Sequence, residues 1–158
     1  MSSDKYETEN GAEIVHSVLL LAEGKADVSF LMHLLQQRQI GSAHFGFPTD
    51  ATGGFGLNAF GKYLSSLPAR TGFKKLRAVL VLYDNDSDAA AAFATVRGLI
   101  DPSDPYSVPN APVTLGTVDG DKVRLMFVPM PASNTLGALE TLLLQSADAT
   151  SAEALDIF

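Results

Sequence analysis

The sequence of 158 residues contains no cysteine, and this absence excludes several classes of protein. Without thiols the chain has no disulfide framework, no cysteine nucleophile and no cysteine-based zinc site. No apolar run approaches the roughly 20 residues that a membrane-spanning helix needs, and the polar, acidic segment from Met1 to Asn10 is unlike a signal peptide. We therefore expect a soluble, cytoplasmic protein that makes no contact with a membrane.

Positive charge is also scarce. The chain has 11 lysines and arginines against 18 aspartates and glutamates, which gives a formal net charge of −7. Proteins that hold nucleic acid by its phosphates usually carry the opposite balance. Magnesium bound at acidic positions would cancel part of the deficit. Binding of nucleic acid by this chain alone is still expected to be weak, so a partner protein or a homo-oligomer would have to supply the rest.

The composition is that of one globular domain. Hydrophobic residues make up 46% and charged residues 18% of the chain, and its length is enough to bury a core. We expect a flexible lead-in over residues 1–12 and a single domain over residues 13–158. The last segment, Ala152–Phe158, is apolar enough to begin another helix, which predicts a domain truncated at its C-terminus.

Apolar runs alternate with helical periodicities along the chain. The clearest strand begins at Ala78 and has no polar residue before Tyr83, as is typical of a strand covered on both faces. Val28, Leu31 and Leu35 recur at helical spacing. The predicted strands cover about 14–22, 43–47, 78–83 and 123–128, and the predicted helices cover about 26–39, 57–67, 89–100 and 136–147.

This alternation predicts right-handed crossovers and a parallel sheet. We expect an α/β protein with a three-layer α/β/α arrangement and a central, mostly parallel sheet in the order 2-1-3-4. In such sheets ligands bind at the carboxyl ends of the strands, where the direction of winding reverses. Glu23, after the first strand, would there face Asp84 and Asp86, after the third. Glu140 would approach from beyond the fourth strand.

The acidic residues after the third strand are candidate metal ligands. Asp84 and Asp86 are two residues apart on a chain leaving a strand, so their side chains point the same way and can share one cation. Crowded carboxylates repel one another unless a positive group separates them, and hard divalent cations prefer oxygen ligands. A turn with Ser87 or Asp88 as the helix N-cap is the alternative. Asp88 itself is equally well explained as a metal ligand or as a cap.

A second acidic position follows the first strand. Glu23 comes after four apolar residues and needs a partner, and Gly24 permits a sharp turn there. Asp27 falls in the first turn of the next helix, where it would either bind metal or complement the helix dipole. Lys25 and Gly24 are candidate contacts for a phosphate group. Glu140, near the start of the fourth predicted helix, is either a ligand or an ordinary exposed acid.

In this order the acidic residues resemble the Toprim fold, a Rossmann-like architecture. The matching positions are Glu23-Gly24 after the first strand and Asp84-Asn85-Asp86 after the third. The longer segment from Glu23 to Leu31 is similar to the start of Toprim-like domains related to the overcoming-lysogenization-defect nucleases.

The later part of the chain resembles a stand-alone bacterial Toprim-like family of unknown function. The similarity there lies in Phe127-Val128-Pro129, which leads to the segment from Gly137 to Leu142. Together the two resemblances span about residues 15–146.

The Toprim resemblance implies a cation, Mg²⁺ or Mn²⁺, held by Asp84 and Asp86, with Glu23 as catalytic acid/base or as a further ligand. In the nuclease branch, Asp27 and Glu140 would add ligands for a second ion. The chain departs from that branch because the late lysine expected to stabilise transition-state charge is not visible in it.

The predicted activity is metal-dependent phosphodiester hydrolysis on nucleic acid by two cations, which together stabilise the attacking and the leaving oxygen. The alternative is a non-catalytic module of the same fold that binds Mg²⁺ and acts through a partner protein. A flavodoxin-like receiver would need a lysine after the last strand, and Val128-Pro129-Met130-Pro131 offers none.

Overall fold

The computed structural model describes residues 6–8, 13–48, 57–85 and 88–130, in which strands and helices alternate. In chain order the elements are β1 (Tyr6–Thr8), β2 (Val18–Leu21), α1 (Lys25–Gln37), β3 (Ala43–Gly46), α2 (Leu57–Ser66), β4 (Ala78–Asp84), α3 (Ala89–Gly98), β5 (Tyr106–Ser107) and β6 (Val123–Met130). Two short 3₁₀ turns, Leu67–Ala69 and Phe73–Lys75, connect α2 to β4. The predicted alternation is confirmed over these residues.

The six strands form one sheet in the order β1-β3-β2-β4-β6-β5, and all five pairings are parallel. The four strands predicted from the sequence correspond to β2, β3, β4 and β6, so the predicted order 2-1-3-4 is confirmed. The chain winds from β2 outwards to β3 and then crosses back to β4. The point where winding reverses therefore lies between β2 and β4.

Helices cover both faces of the sheet because each central strand is apolar on both sides. On one face, Leu19, Val79 and Phe127 pack in a buried cluster with residues of α2 and α3. On the other face, Leu20 and Leu82 pack with Val28 and Leu31 of α1. The result is a three-layer α/β/α arrangement, and a parallel sheet needs this double cover.

The central strand β4 lies between β2 and β6, as its sequence predicts. Val81 is fully buried and Leu82 is 7% exposed. Leu80 is only partly buried, against the cluster on the α1 face. Its side chain points to the α1 face, whereas Val79 and Val81 point to the face covered by α2 and α3.

Two short edge strands do not follow from the sequence pattern. β1 lies within residues 1–12, the predicted flexible lead-in, and pairs with β3; that prediction is corrected for Tyr6–Thr8. β5, at Tyr106–Ser107, lies where the sequence pattern predicts no strand, and it pairs with β6. Strands of two or three residues are too short to show a periodicity, and only the exposed edge of a neighbouring strand selects them.

Some predicted features lie outside the described residues. They are the glycine-rich loop at 53–56, Asp86, the fourth helix at 136–147 with Glu140, and the apolar end of the chain from Ala152 to Phe158.

Candidate functional site at the carboxyl ends of the central strands

A pocket opens at the carboxyl ends of β2 and β4, where the winding reverses. It encloses about 260 Å³, including open solvent. Its acidic lining consists of Glu23, Asp27 and Asp84, and the remaining lining is contributed by Ala22, Phe30, Leu31, Leu82, Tyr83 and Met130. Three of the predicted site residues are thus brought to one place by three elements: the end of β2, the first turn of α1 and the end of β4.

Glu23 and Asp84 are joined directly across the two strands. The Oε1 atom of Glu23 accepts a hydrogen bond from the backbone N–H of Asp84 at 2.8 Å. Both residues are half-buried. Because β2 ends at Leu21 and β4 continues to Asp84, the side chain of Glu23 reaches the last N–H group of the longer strand. This contact fixes the carboxylate of Glu23 beside Asp84, as the strand order predicts.

Asp27 faces the same pocket and also caps its own helix. Its Oδ2 atom accepts a hydrogen bond from the backbone N–H of Gly24, the N-cap of α1, at 2.9 Å. Asp27 lies in the first turn of α1, as the helix-start explanation requires, and it also lines the pocket. Gly24 has extended backbone angles rather than a sharp turn; a Cβ atom there would lie 3.1 Å from Oδ2 of Asp27. The glycine therefore allows this close approach.

The candidate phosphate contacts differ in how available they are. The N–H group of Gly24 is already bonded to Asp27, so a phosphate oxygen would have to displace that carboxylate. Lys25 is exposed at the first position of α1, and its position remains compatible with a contact to an anion.

Asp88 is the N-cap of α3. Its Oδ1 atom accepts hydrogen bonds from the backbone N–H groups of Ala90 and Ala91, both at 3.0 Å. Asp88 is exposed and does not line the pocket. Of the two explanations that the sequence left open, the structure favours the cap over the metal ligand.

Asn85 and Tyr83 flank Asp84 and point to the opposite face. Asn85 is completely buried, and its backbone N–H donates to the carbonyl of Met130 at 3.0 Å. Tyr83 is 1% exposed and packs in the cluster beneath α2 and α3, as predicted, and burial raises the pKa of its phenol. Sequence reasoning did not single out Asn85; the period of two that points Asp84 into the pocket is the signal that places Asn85 in the core.

The pocket offers carboxylate oxygens as possible ligands for a hard cation. Carboxylate oxygens are the ligands that Mg²⁺ prefers, and a carboxylate can accept at several positions. The hydrogen bond between Glu23 and Asp84 therefore does not exclude a cation. Within residues 13–48, 57–85 and 88–130, no three side chains of the metal-binding types come close enough together to hold an ion. Two predicted ligands, Asp86 and Glu140, lie outside those ranges.

Fold and site together define an α/β protein with a Rossmann-like, doubly wound parallel sheet and a carboxylate-lined pocket at its switch point. Residues 17–156 match the profile of a family described as "Protein of unknown function (DUF3226)". The match covers most of the chain, and the chain belongs to this family. No curated protein and no solved structure matches it. In the part of the chain that the structure describes, no helix is long and apolar enough to cross a membrane.

Proposed function

We propose that this protein is a divalent-cation-dependent phosphodiester hydrolase that acts on nucleic acid, with a Toprim-like site. The observation that carries the proposal is the hydrogen bond between the Glu23 carboxylate and the N–H group of Asp84. It joins the two acidic positions that a metal-dependent site of this kind requires, at the sheet edge where α/β proteins bind ligands.

Asp84 and Glu23 would hold Mg²⁺ or Mn²⁺, with Asp27 beside them and with Asp86 and Glu140 as the remaining candidate ligands. Bound cations would supply charge for the attacking and leaving oxygens and would lower the pKa of a water nucleophile. Lys25, exposed at the start of α1, would contact a phosphate oxygen of the substrate.

The hydrogen bond from Asp84 gives Glu23 a positioning function as well. Its Oε1 atom is held by a backbone group of β4, so the carboxylate has one fixed orientation relative to Asp84. A general base must lie within hydrogen-bonding reach of the proton that it takes. The anchored carboxylate lies in the lining of the pocket, which suits either proton transfer or metal binding.

The second candidate function is a non-catalytic module of the same fold that binds a cation or a phosphorylated ligand and acts with a partner protein. The capping contact between Asp27 and Gly24 favours this candidate, because it gives one of the predicted ligands a structural role. The net charge of −7 favours it as well. A cytoplasmic location is part of both proposals.

The test is cleavage of plasmid, single-stranded DNA and RNA with Mg²⁺ or Mn²⁺, comparing the wild type with Glu23→Gln and Glu13→Gln. Both variants lose one carboxylate, but Glu13 is exposed and pairs with Lys75 instead of lining the pocket. We expect cleavage by the wild type and by Glu13→Gln, and loss of cleavage with Glu23→Gln. Cleavage that survives Glu23→Gln contradicts the proposal. Cation binding that depends on Glu23 without any cleavage supports the binding module.

A further inference from the structure

Cations are concentrated in one part of this acidic chain. Residues 51–83 contain five lysines and arginines and no aspartate or glutamate, although the whole chain carries −7. Four of the five lie in the eight residues from Arg70 to Arg77. We call residues 70–77 the basic turn.

The basic turn is held rigidly on the protein. Gly72 has a φ of +85°, and a Cβ atom there would lie 2.1 Å from the carbonyl oxygen of Ile14. The N–H group of Ile14 donates to the carbonyl of Thr71 at 2.9 Å. Leu76 is 1% exposed and belongs to the core. The turn is thus anchored from both sides, and its side chains project from fixed backbone positions.

Three of the four cations of the basic turn are directed outward. Lys74, Lys75 and Arg77 are exposed, whereas Arg70 lies over the ring of Tyr63, with 4.9 Å between its guanidinium carbon and the ring centroid. Lys75 pairs with Glu13 at 2.9 Å. In the described part of the chain, no carboxylate lies within ion-pair distance of Lys74 or Arg77. Two charges therefore remain for a partner, and the guanidinium of Arg70 is oriented by an aromatic ring.

The basic turn lies at the opposite end of the sheet from the acidic pocket. It immediately precedes β4, and the pocket lies where β4 ends. The seven residues of β4 separate the two by roughly 20 Å, at about 3.3 Å per residue. A small anion bound at one end cannot reach the other, whereas a polymer can.

We propose that the basic turn is a docking surface for the phosphate backbone of a nucleic acid, separate from the carboxylate pocket. A polyanion is repelled by the rest of this acidic chain, so the basic turn would orient it as well as hold it. Exposed basic side chains that track the phosphate backbone are typical of surfaces that bind single-stranded nucleic acid. The proposal goes beyond the proposed function, because binding here requires neither a cation nor cleavage.

The test is fluorescence anisotropy of a labelled oligothymidylate, in EDTA, over a series of salt concentrations. The test variant is Lys74→Glu/Arg77→Glu, and the matched control is Lys62→Glu/Arg38→Glu, which changes the same charges at exposed positions in α2 and just after α1. Near physiological salt we expect non-specific wild-type binding with a Kd of about 10⁻⁴ to 10⁻⁶ M, and tighter binding at lower salt. The test variant should bind at least about tenfold more weakly than the control, with a salt slope shallower by about 1.

Equal losses in the two double variants, or no wild-type binding at the lowest salt, would overturn the proposal. Competition by polyglutamate as effective as that by unlabelled oligothymidylate would overturn it too, since it would indicate an acidic protein as the partner. Lys74→Gln/Arg77→Gln repeats the test if the charge-reversed variant fails to fold. Binding is measured in EDTA and cleavage in Mg²⁺ or Mn²⁺, so failure of the docking surface and failure of the hydrolase proposal give different results.

Discussion

Replacement of Glu23 tests the site most directly, because a single hydrogen bond holds Glu23 beside Asp84. The Oε1 atom of Glu23 accepts the N–H group of Asp84 at 2.8 Å between half-buried residues. Glu23→Ala removes that acceptor, whereas Glu23→Gln keeps an oxygen in its place and removes only the charge. The two variants therefore separate the structural part of Glu23 from its charge.

The expected magnitudes differ with and without metal. In EDTA, Glu23→Ala should lower the free energy of unfolding by about 1–3 kcal/mol, because the N–H group of Asp84 loses this partner. For Glu23→Gln the free energy of unfolding should stay within about 1 kcal/mol of the wild-type value. The variant loses a charge-assisted hydrogen bond, but it also loses the repulsion between Glu23 and the neighbouring carboxylates. Mg²⁺ at about 100 times its Kd should stabilise the wild type by about 2.7 kcal/mol.

The assay is urea unfolding in EDTA and in Mg²⁺ or Mn²⁺, followed by circular dichroism. The stabilisation by metal should be much smaller in Glu23→Gln than in the wild type, and unchanged in Glu13→Gln. If Glu23→Gln gains as much from metal as the wild type does, the cation does not bind at Glu23 and the reasoning is refuted. If Glu23→Ala is as stable as the wild type in EDTA, the hydrogen bond to Asp84 contributes nothing.

The other predictions concern the fold. Gly72→Ala should destabilise the protein by more than about 1 kcal/mol, because of its positive φ and the 2.1 Å approach to a carbonyl oxygen; Gly98→Ala, at a position with nothing within 4 Å, should be neutral or stabilising in the same unfolding assay. Leu80→Ala should cost about 2 kcal/mol, the low end for such a change, because Leu80 is only partly buried; a loss below about 1 kcal/mol would contradict its place in a central strand. Asp88→Ala should cost about 1 kcal/mol through the lost cap and leave stabilisation by metal intact; loss of the metal effect would show that Asp88 is a ligand after all. Burial raises the pKa of Tyr106 above its usual value of 10.0, so the folded state keeps a proton that the unfolded state loses. Stability should fall as the pH rises above about 10, by about 1.4 kcal/mol per pH unit for this one group. Measured by urea unfolding above a pH of about 10, the free energy of unfolding should decrease less steeply with pH in Tyr106→Phe than in the wild type. An equal decrease in both proteins would show that Tyr106 does not cause the pH dependence.

Much of this fold follows from the sequence because the signals are local. The apolar run before Tyr83 predicts a buried strand wherever it is placed, and β4 is one. The spacing of Val28 and Leu31 predicts an amphipathic helix, and α1 covers the sheet with these side chains. Alternation and the handedness of crossovers then restrict the order of the main strands to a few, and the predicted 2-1-3-4 is the one observed.

The edge strands and the role of each acid depend on contacts that no local pattern encodes. β1 and β5 exist because β3 and β6 offer unpaired backbone groups at their edges. Asp88 is a cap because α3 begins at the next residue. Asp27 combines a place in the pocket with a capping bond because Gly24 lets its carboxylate come close.

The sequence by itself determined that carboxylates follow the ends of two apolar strands, and with it the class of fold and the edge where a ligand would bind. The tertiary structure decided which carboxylates meet. Glu23 contacts Asp84 because β2 and β4 are neighbours and end at different heights, which is a relation between residues 61 positions apart in the chain. It also placed the cations of the basic turn at the other end of β4. A sequence shows how many charges a chain has, but their separation in space depends on where the strands begin and end.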